Sequence, residues 1–196
     1  MPSPSDTAPW GSSAGKSCGA NTWSDTPLWK NGWRDRAVYR VVVEKGNLRF
    51  SAAHFISFGG KCERLHGHNY AVSVELEGGL TEDRYVFDFV VLKKITRRIC
   101  DSLDHHFLLP QQSKDLDIKK TDGEWEIRFE NRRYVLPAED VLALPVDNIT
   151  AERLAEYICG QLVEALHEHD VANLTSVTVG VEETAGQTAF YQRPLS

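Results

Sequence analysis

His66-Gly-His68-Asn-Tyr70-Ala-Val72-Ser-Val74-Glu-Leu76-Glu77 is the stretch on which the reading of this chain turns. From residue 68 onward, His68, Tyr70, Val72, Val74 and Leu76 fall on one side and Asn69, Ala71, Ser73, Glu75 and Glu77 on the other. That period of two is the pattern of a half-buried strand, and it aims His66 and His68 at one face. Gly78-Gly79 ends the strand. Upstream, residues 39–44 are rich in β-formers, and 47–55 continue them past a break at Gly46-Asn47 that predicts a bulge or tight turn. Downstream, residues 85–89 predict a short return strand. Residues 90–103 predict a helix, because Val91, Leu92, Ile95, Ile99 and Leu103 recur at three- and four-residue steps. Thr150 predicts the N-cap of a second helix with the stripe Leu154, Ala155, Ile158, Leu162 and Leu166. Residues 174–182 alternate as a strand, Thr184-Ala-Gly186 turns, and Ala189-Phe-Tyr191 closes the chain. The order predicts an α+β fold with antiparallel pairing.

Two segments stand outside that order. Residues 1–36 are rich in Pro, Ser, Gly, Ala and Thr without hydrophobic periodicity and predict a flexible tail before a domain over 37–196. Trp23, Trp29 and Trp33 lie near the tail's end, able to dock on the body or on a neighbouring subunit. Gly11-Ser-Ser-Ala-Gly15-Lys16-Ser17 is one residue short of a phosphate loop and has neither the strand before nor the helix after that such a loop needs. Residues 111–147 predict an insertion. Within it, 125–130 alternate, Asn131-Arg132-Arg133 turns and 134–137 returns, which makes a hairpin.

Bulk composition narrows the function. With 22 basic and 28 acidic side chains the formal net charge is −6, which gives no broad electrostatic reason to bind nucleic acid or an anionic membrane. No apolar run is long enough to span a bilayer, and the N-terminus lacks the basic and apolar regions of a signal peptide. The four cysteines, Cys18, Cys62, Cys100 and Cys159, form no CxxC pair, so the expectation is a cytoplasmic protein with free thiols.

Chemistry concentrates around the first strands. His66-Gly-His68 can present two nitrogens from one strand, and His54, ending the preceding strand, can supply a third. Three neutral imidazoles with an open fourth position suit catalytic zinc, although a histidine pair by itself is commonly just buried or surface structure. Cys62 reads either as a small buried hydrophobe or, beside a metal, as a thiolate base or nucleophile. Asp104-His105-His106 follow the first helix, where histidine also complements the helix dipole. Glu182-Glu183 end a strand and read equally well as a solvated pair.

Taken together, Phe50-Ser-Ala-Ala-His54-Phe, Cys62-Glu-Arg-Leu-His66-Gly-His68-Asn-Tyr70, Asp88-Phe, Leu103-Asp104-His105-His106, Thr150-Ala-Glu152 and Val181-Glu-Glu183-Thr resemble the 6-pyruvoyltetrahydropterin synthase and 6-carboxytetrahydropterin synthase family, in the family's order. The resemblance implies a tunnelling fold: an antiparallel four-stranded sheet with two helices on one face, here carrying an inserted hairpin. It implies that three subunits close a barrel and two rings stack into a homohexamer, with active sites between subunits. It implies zinc on His54, His66 and His68, Cys62 as general base, Asp104 and His105 as its partners, Glu183 on the pterin's amino-pyrimidine edge and Thr150 in the substrate site. The implied activity is a zinc-dependent lyase that converts 7,8-dihydroneopterin triphosphate to 6-carboxytetrahydropterin, a queuosine precursor. The short gap between Cys62 and His66 favours that product over the pyruvoyl one. Family members with glutamate in place of the cysteine are associated with a folate-type aldolase forming 6-hydroxymethyl-dihydropterin; Glu63 directly after Cys62 resembles a mixed subgroup able to do either reaction, and the alternative is that Glu63 faces solvent. A zinc-stabilised pterin-binding protein without turnover is the rival from another class.

Overall fold

The computed structural model describes residues 38–44 and 46–195; the expected tail with its tryptophans and Cys18 lies outside them. β5 (His66–Gly78) is the spine. One of its edges pairs antiparallel with β11 (Leu174–Thr184), which pairs in turn with β12 (Gln187–Pro194). The other edge is shared: β2 (Arg49–His54) runs along its first half and β1 (Tyr39–Val43) along its second. Val43 lies opposite Val74 and Arg49 opposite Ala71, so the chain between β1 and β2 has to bulge. Gly46 provides the turn at φ 64°, a left-handed conformation in which a side chain is strained. The Val72 N–H donates to the Leu48 carbonyl across the gap.

Two helices cover one face, as the resemblance implies. α1 (Phe89–Leu103) buries Leu92, Ile95, Ile99 and Leu103, and α2 (Ala151–Leu166) buries Leu154, Ala155, Ile158, Leu162 and Leu166. They pack on Tyr70, Val72, Val74 and Leu76 of β5 and Val177, Val179 and Val181 of β11. Thr150 caps α2 by accepting the Arg153 N–H, as expected. The strand expected over 85–89 is absent. Asp88 Oδ1 accepts the Val90 and Val91 N–H groups and starts α1, while the Val86 carbonyl is taken by the Asn173 side chain rather than by a neighbouring strand. The apolar residues that suggested a strand, Val86 and Phe87, are buried as loop residues.

The insertion is larger than a hairpin. β7 (Asp117–Thr121), β8 (Glu124–Phe129) and β9 (Arg132–Pro137) form a three-stranded antiparallel sheet. Asp122-Gly123, with Gly123 at φ 84°, joins the first two strands. Beyond the antiparallel strands, β6 (His106–Pro110) and β10 (Val141–Leu144) extend the main sheet in parallel past β2. On β6, Leu108 faces the helices, while Phe107 and Leu109 face a second core with Phe55, Cys62, Leu116, Trp125, Ile127, Phe129 and Val141. Alternation along one strand therefore separates two hydrophobic cores. Among the described residues, no helix is long and apolar enough to cross a membrane.

Ile127 is fully buried in the second core. Truncating it to alanine should cost about 2–5 kcal/mol, read as a lower denaturation midpoint. An unchanged midpoint would show that the insertion is not packed as a core.

Candidate metal and pterin site

The β2–β5 register sets His54 directly opposite His66 and Ala52 opposite His68. Paired residues share a face, and so do residues two apart on a strand, so three imidazoles converge. Their ring centroids lie 4.6, 5.2 and 4.9 Å apart, and their available nitrogens all lie within 4.8 Å of one another. His54 is fully buried, with Nδ1 2.9 Å from the Ile149 carbonyl; His66 Nδ1 is 2.8 Å from the Arg64 carbonyl. A carbonyl only accepts, so Nδ1 carries the proton in both rings and the Nε2 lone pairs are left for a ligand. Burial holds the His54 pKa below the usual histidine range, which favours the neutral form that a metal requires. The group is able to hold a metal ion.

Glu183 completes the rim. β11 and β12 shift register between Glu182 and Thr184, and the irregularity turns Glu183 towards the histidines. Its Oε1 lies 3.5 Å from His54 Nε2 and 3.7 Å from His68 Nε2, and accepts from the Tyr70 hydroxyl at 3.2 Å. Burial and the Glu183 charge push the Tyr70 phenol up, so it stays a donor. Glu182, by contrast, accepts the Gly186 N–H at the turn.

Cys62 and Glu63 stand at the end of a second, very short hairpin. β3 (Ser57–Phe58) pairs with β4 (Lys61–Cys62) around Gly59-Gly60, at φ 55° and 73°. A two-residue turn with both central residues in the left-handed region suits the strand twist and calls for glycine. Asn148 clamps this hairpin to the start of α2, exchanging hydrogen bonds with the Ser57 backbone. The two neighbours then part. The Cys62 thiol is buried in the second core, where burial pushes its pKa up and the Arg132 guanidinium partly offsets this. The Glu63 carboxylate stands 4.0 Å from His66 Nε2 and is partly exposed.

Asp104 and His105 are anchored elsewhere on β2. Asp104 Oδ1 accepts the Ser51 N–H at 2.7 Å, and the His105 N–H donates to the Ser51 carbonyl at 2.7 Å. His105 Nδ1 lies 2.8 Å from Asp104 Oδ2, its side chain is largely exposed, and its backbone sits at φ 59°, uncommon for a non-glycine residue. His105 borders a cavity of about 640 Å³ also lined by Ser51, Ala53, Asn69 and His68. Among the described residues, no hydrogen bond or ion pair joins the pair to Cys62 or to the three imidazoles. Thr150 follows Ile149, whose carbonyl holds His54.

The Ser51 N–H, then His105, hold the Asp104 carboxyl below the usual aspartate range. A depressed folded pKa contributes stability that is present above the unfolded aspartate value, about 3.9, and is lost as pH falls through the folded value. Asp104→Asn should therefore flatten the acid limb of the denaturation midpoint plotted against pH and leave the neutral limb parallel to that of the parent. An unaltered acid limb would remove this role.

The 6-pyruvoyl tetrahydropterin synthase family model matches residues 44–194. A putative 6-carboxy-5,6,7,8-tetrahydropterin synthase of Methanocaldococcus jannaschii is 37% identical over 149 residues, 76% of this chain and 91% of that protein. A dihydroneopterin monophosphate aldolase of Pyrococcus furiosus is 39% identical over 73 residues, 37% of this chain and 56% of that one. Among solved structures, a Plasmodium vivax 6-pyruvoyltetrahydropterin synthase, described as a catalytic-residue mutant with a glutamate changed to alanine, superposes with a TM-score of 0.77 at 35% identity, covering 81% of this chain and 99% of that one. The antiparallel sheet and the two helices on one face agree with these matches: the chain belongs to the 6-pyruvoyl tetrahydropterin synthase family, as a pterin-processing lyase.

Proposed function

We propose that this enzyme is a zinc-dependent lyase acting on the side chain of 7,8-dihydroneopterin triphosphate to form 6-carboxytetrahydropterin. The observation that carries the reading is the three-imidazole cluster with the Glu183 carboxylate beside His54 and His68 and the Glu63 carboxylate beside His66. Zinc held by His54, His66 and His68 would supply Lewis acidity towards the side-chain oxygens of the substrate. Glu183, fixed by the Tyr70 hydroxyl, accepts paired hydrogen bonds from the amino-pyrimidine edge of the pterin and excludes rings without those donors. The Thr150 hydroxyl accepts from Arg153 and keeps its own proton free to donate to substrate. Cys62 is the general base of this reading, and His105, oriented by Asp104, moves the second proton.

The separation of the Asp104-His105 pair from Cys62 supports a site completed between subunits. So does the edge strand β12, where Phe190 is 65% exposed. On this reading the working form is a homohexamer, a dimer of trimers. Native mass spectrometry giving a monomer under assay conditions would contradict it.

A second reading is favoured by one specific contact. Glu63, not the buried thiol, has its carboxylate beside His66, which suits an aldolase that breaks the C1′–C2′ bond and leaves 6-hydroxymethyl-dihydropterin. The P. furiosus dihydroneopterin monophosphate aldolase, 39% identical over 73 residues, supports it.

The deciding assay supplies 7,8-dihydroneopterin triphosphate to the zinc-loaded protein and identifies products by mass. 6-Carboxytetrahydropterin with acetaldehyde and triphosphate is expected. Cys62→Ala should lower its formation about 100-fold or more, the usual scale for a lost general base. A 6-hydroxymethyl product that survives Cys62→Ala and disappears in Glu63→Gln assigns the chain to the aldolase reading. Zinc-loaded protein that makes neither product overturns both.

A further inference from the structure

The insertion does more than build a second core, because one of its side chains reaches the Cys62-Glu63 peptide. Arg132 opens β9 and donates from Nη2 to the Cys62 carbonyl at 2.6 Å and from Nη1 to the Glu63 carbonyl at 2.7 Å. One guanidinium thus grips two consecutive carbonyls across some 69 residues of sequence. These are charge-assisted bonds with a planar fork, a geometry that an ammonium cannot reproduce. The guanidinium carbon lies 5.8 Å from the Phe129 ring centroid, and Phe129 is itself buried in the second core, so the gripping group is backed by a fixed surface. On its other side the same peptide is held by the Glu63 N–H donating to the Ile56 carbonyl. Between these two restraints the backbone has little freedom, and it carries the two side chains that compete for the role of base.

We propose that Arg132 is a positioning residue: through the insertion it fixes the Cys62-Glu63 peptide, and so sets where the thiol and the carboxylate stand relative to the three imidazoles. This rests on the pterin-lyase reading above. A displacement of about 1 Å in a reacting group can cost on the order of 100-fold in rate, so releasing this peptide lowers turnover without removing a ligand or a base. Binding of the pterin ring, which falls to Glu183 on a different strand, is left largely intact.

The test compares the zinc-loaded parent with Arg132→Ala and Arg132→Lys by zinc content, by kcat and KM for the pterin substrate, and by amide hydrogen exchange. For Arg132→Ala we expect unchanged zinc, kcat lower by about 30-fold and KM within about threefold. Exchange across residues 57–66 should quicken about fivefold or more while that of residues 70–77 stays as in the parent. Added guanidinium should recover part of the lost kcat in Arg132→Ala and none in the parent. Arg132→Lys, which keeps the charge but loses the fork, should fall between parent and alanine variant. A kcat within twofold of the parent overturns the proposal, as does unchanged exchange over 57–66. A loss of rate that tracks faster exchange throughout β5 also overturns it, because the residue would then be merely structural. If the parent itself does not turn over pterin, the functional reading fails first, and faster exchange over 57–66 would then reduce Arg132 to a structural clamp.

Discussion

The antiparallel register of β2 against β5 is the constraint on which the site depends. It sets His54 opposite His66, and the pleat adds His68 from the same face. A slip of one residue would turn either strand's side chains to the other face and disperse the cluster. The register is therefore held by burial as well as by hydrogen bonds. Phe50 stacks on Tyr70 at 4.8 Å directly across the same pair, and Val72, Val74 and Leu76 continue that face under the helices. The polar end and the apolar end of β5 are one periodic pattern. What changes along it is the cover: helices over the apolar part, and the start of α2 with Ile149 beside the histidines.

Around that fixed triangle the remaining groups arrive by irregular backbone. Glu183 comes from a break in strand register, Cys62 and Glu63 from a two-glycine turn, and His105 from a left-handed residue past a helix end. Regular strands are well suited to placing ligands at constant spacing, whereas aiming a single carboxylate or imidazole out of the pleat takes an extra residue or a positive φ. The division of labour is thus between a rigid register that gathers the histidines and individually steered polar groups.

The same division explains what was legible in the sequence. Alternation and helical spacing reveal β5, α1 and α2 because each buries one continuous stripe, and the three histidines ride on that pattern. Val86 and Phe87 mislead because buried loop residues carry the same composition as a strand, and Asp88, the residue that ends the ambiguity, acts through capping rather than through hydrophobicity. β7 is mostly exposed, with Asp117, Lys119 and Lys120 charged, so periodicity gives it no signal; Asp122-Gly123 is its trace in the sequence. The pairing of Glu63 with His66 and the burial of Cys62 depend on Gly59-Gly60, whose turn type the dipeptide could have announced. Arg132 and Asn148 lie far from their partners in sequence, and a single sequence contains no long-range distances.

The two-sided packing of β6 has a further consequence. A strand with solvent on one face can absorb a change of side-chain volume by leaning outward. With Leu108 against the helices and Phe107 and Leu109 against the insertion, β6 has no free side. It behaves as a party wall, passing displacement from one room to the other. Phe107 packs 5.3 Å from Phe55, the residue immediately after His54, and Phe55 packs in turn on Tyr134 of the insertion. A change of side-chain volume in the insertion is therefore felt at Phe55, and through it at the strand end that carries His54.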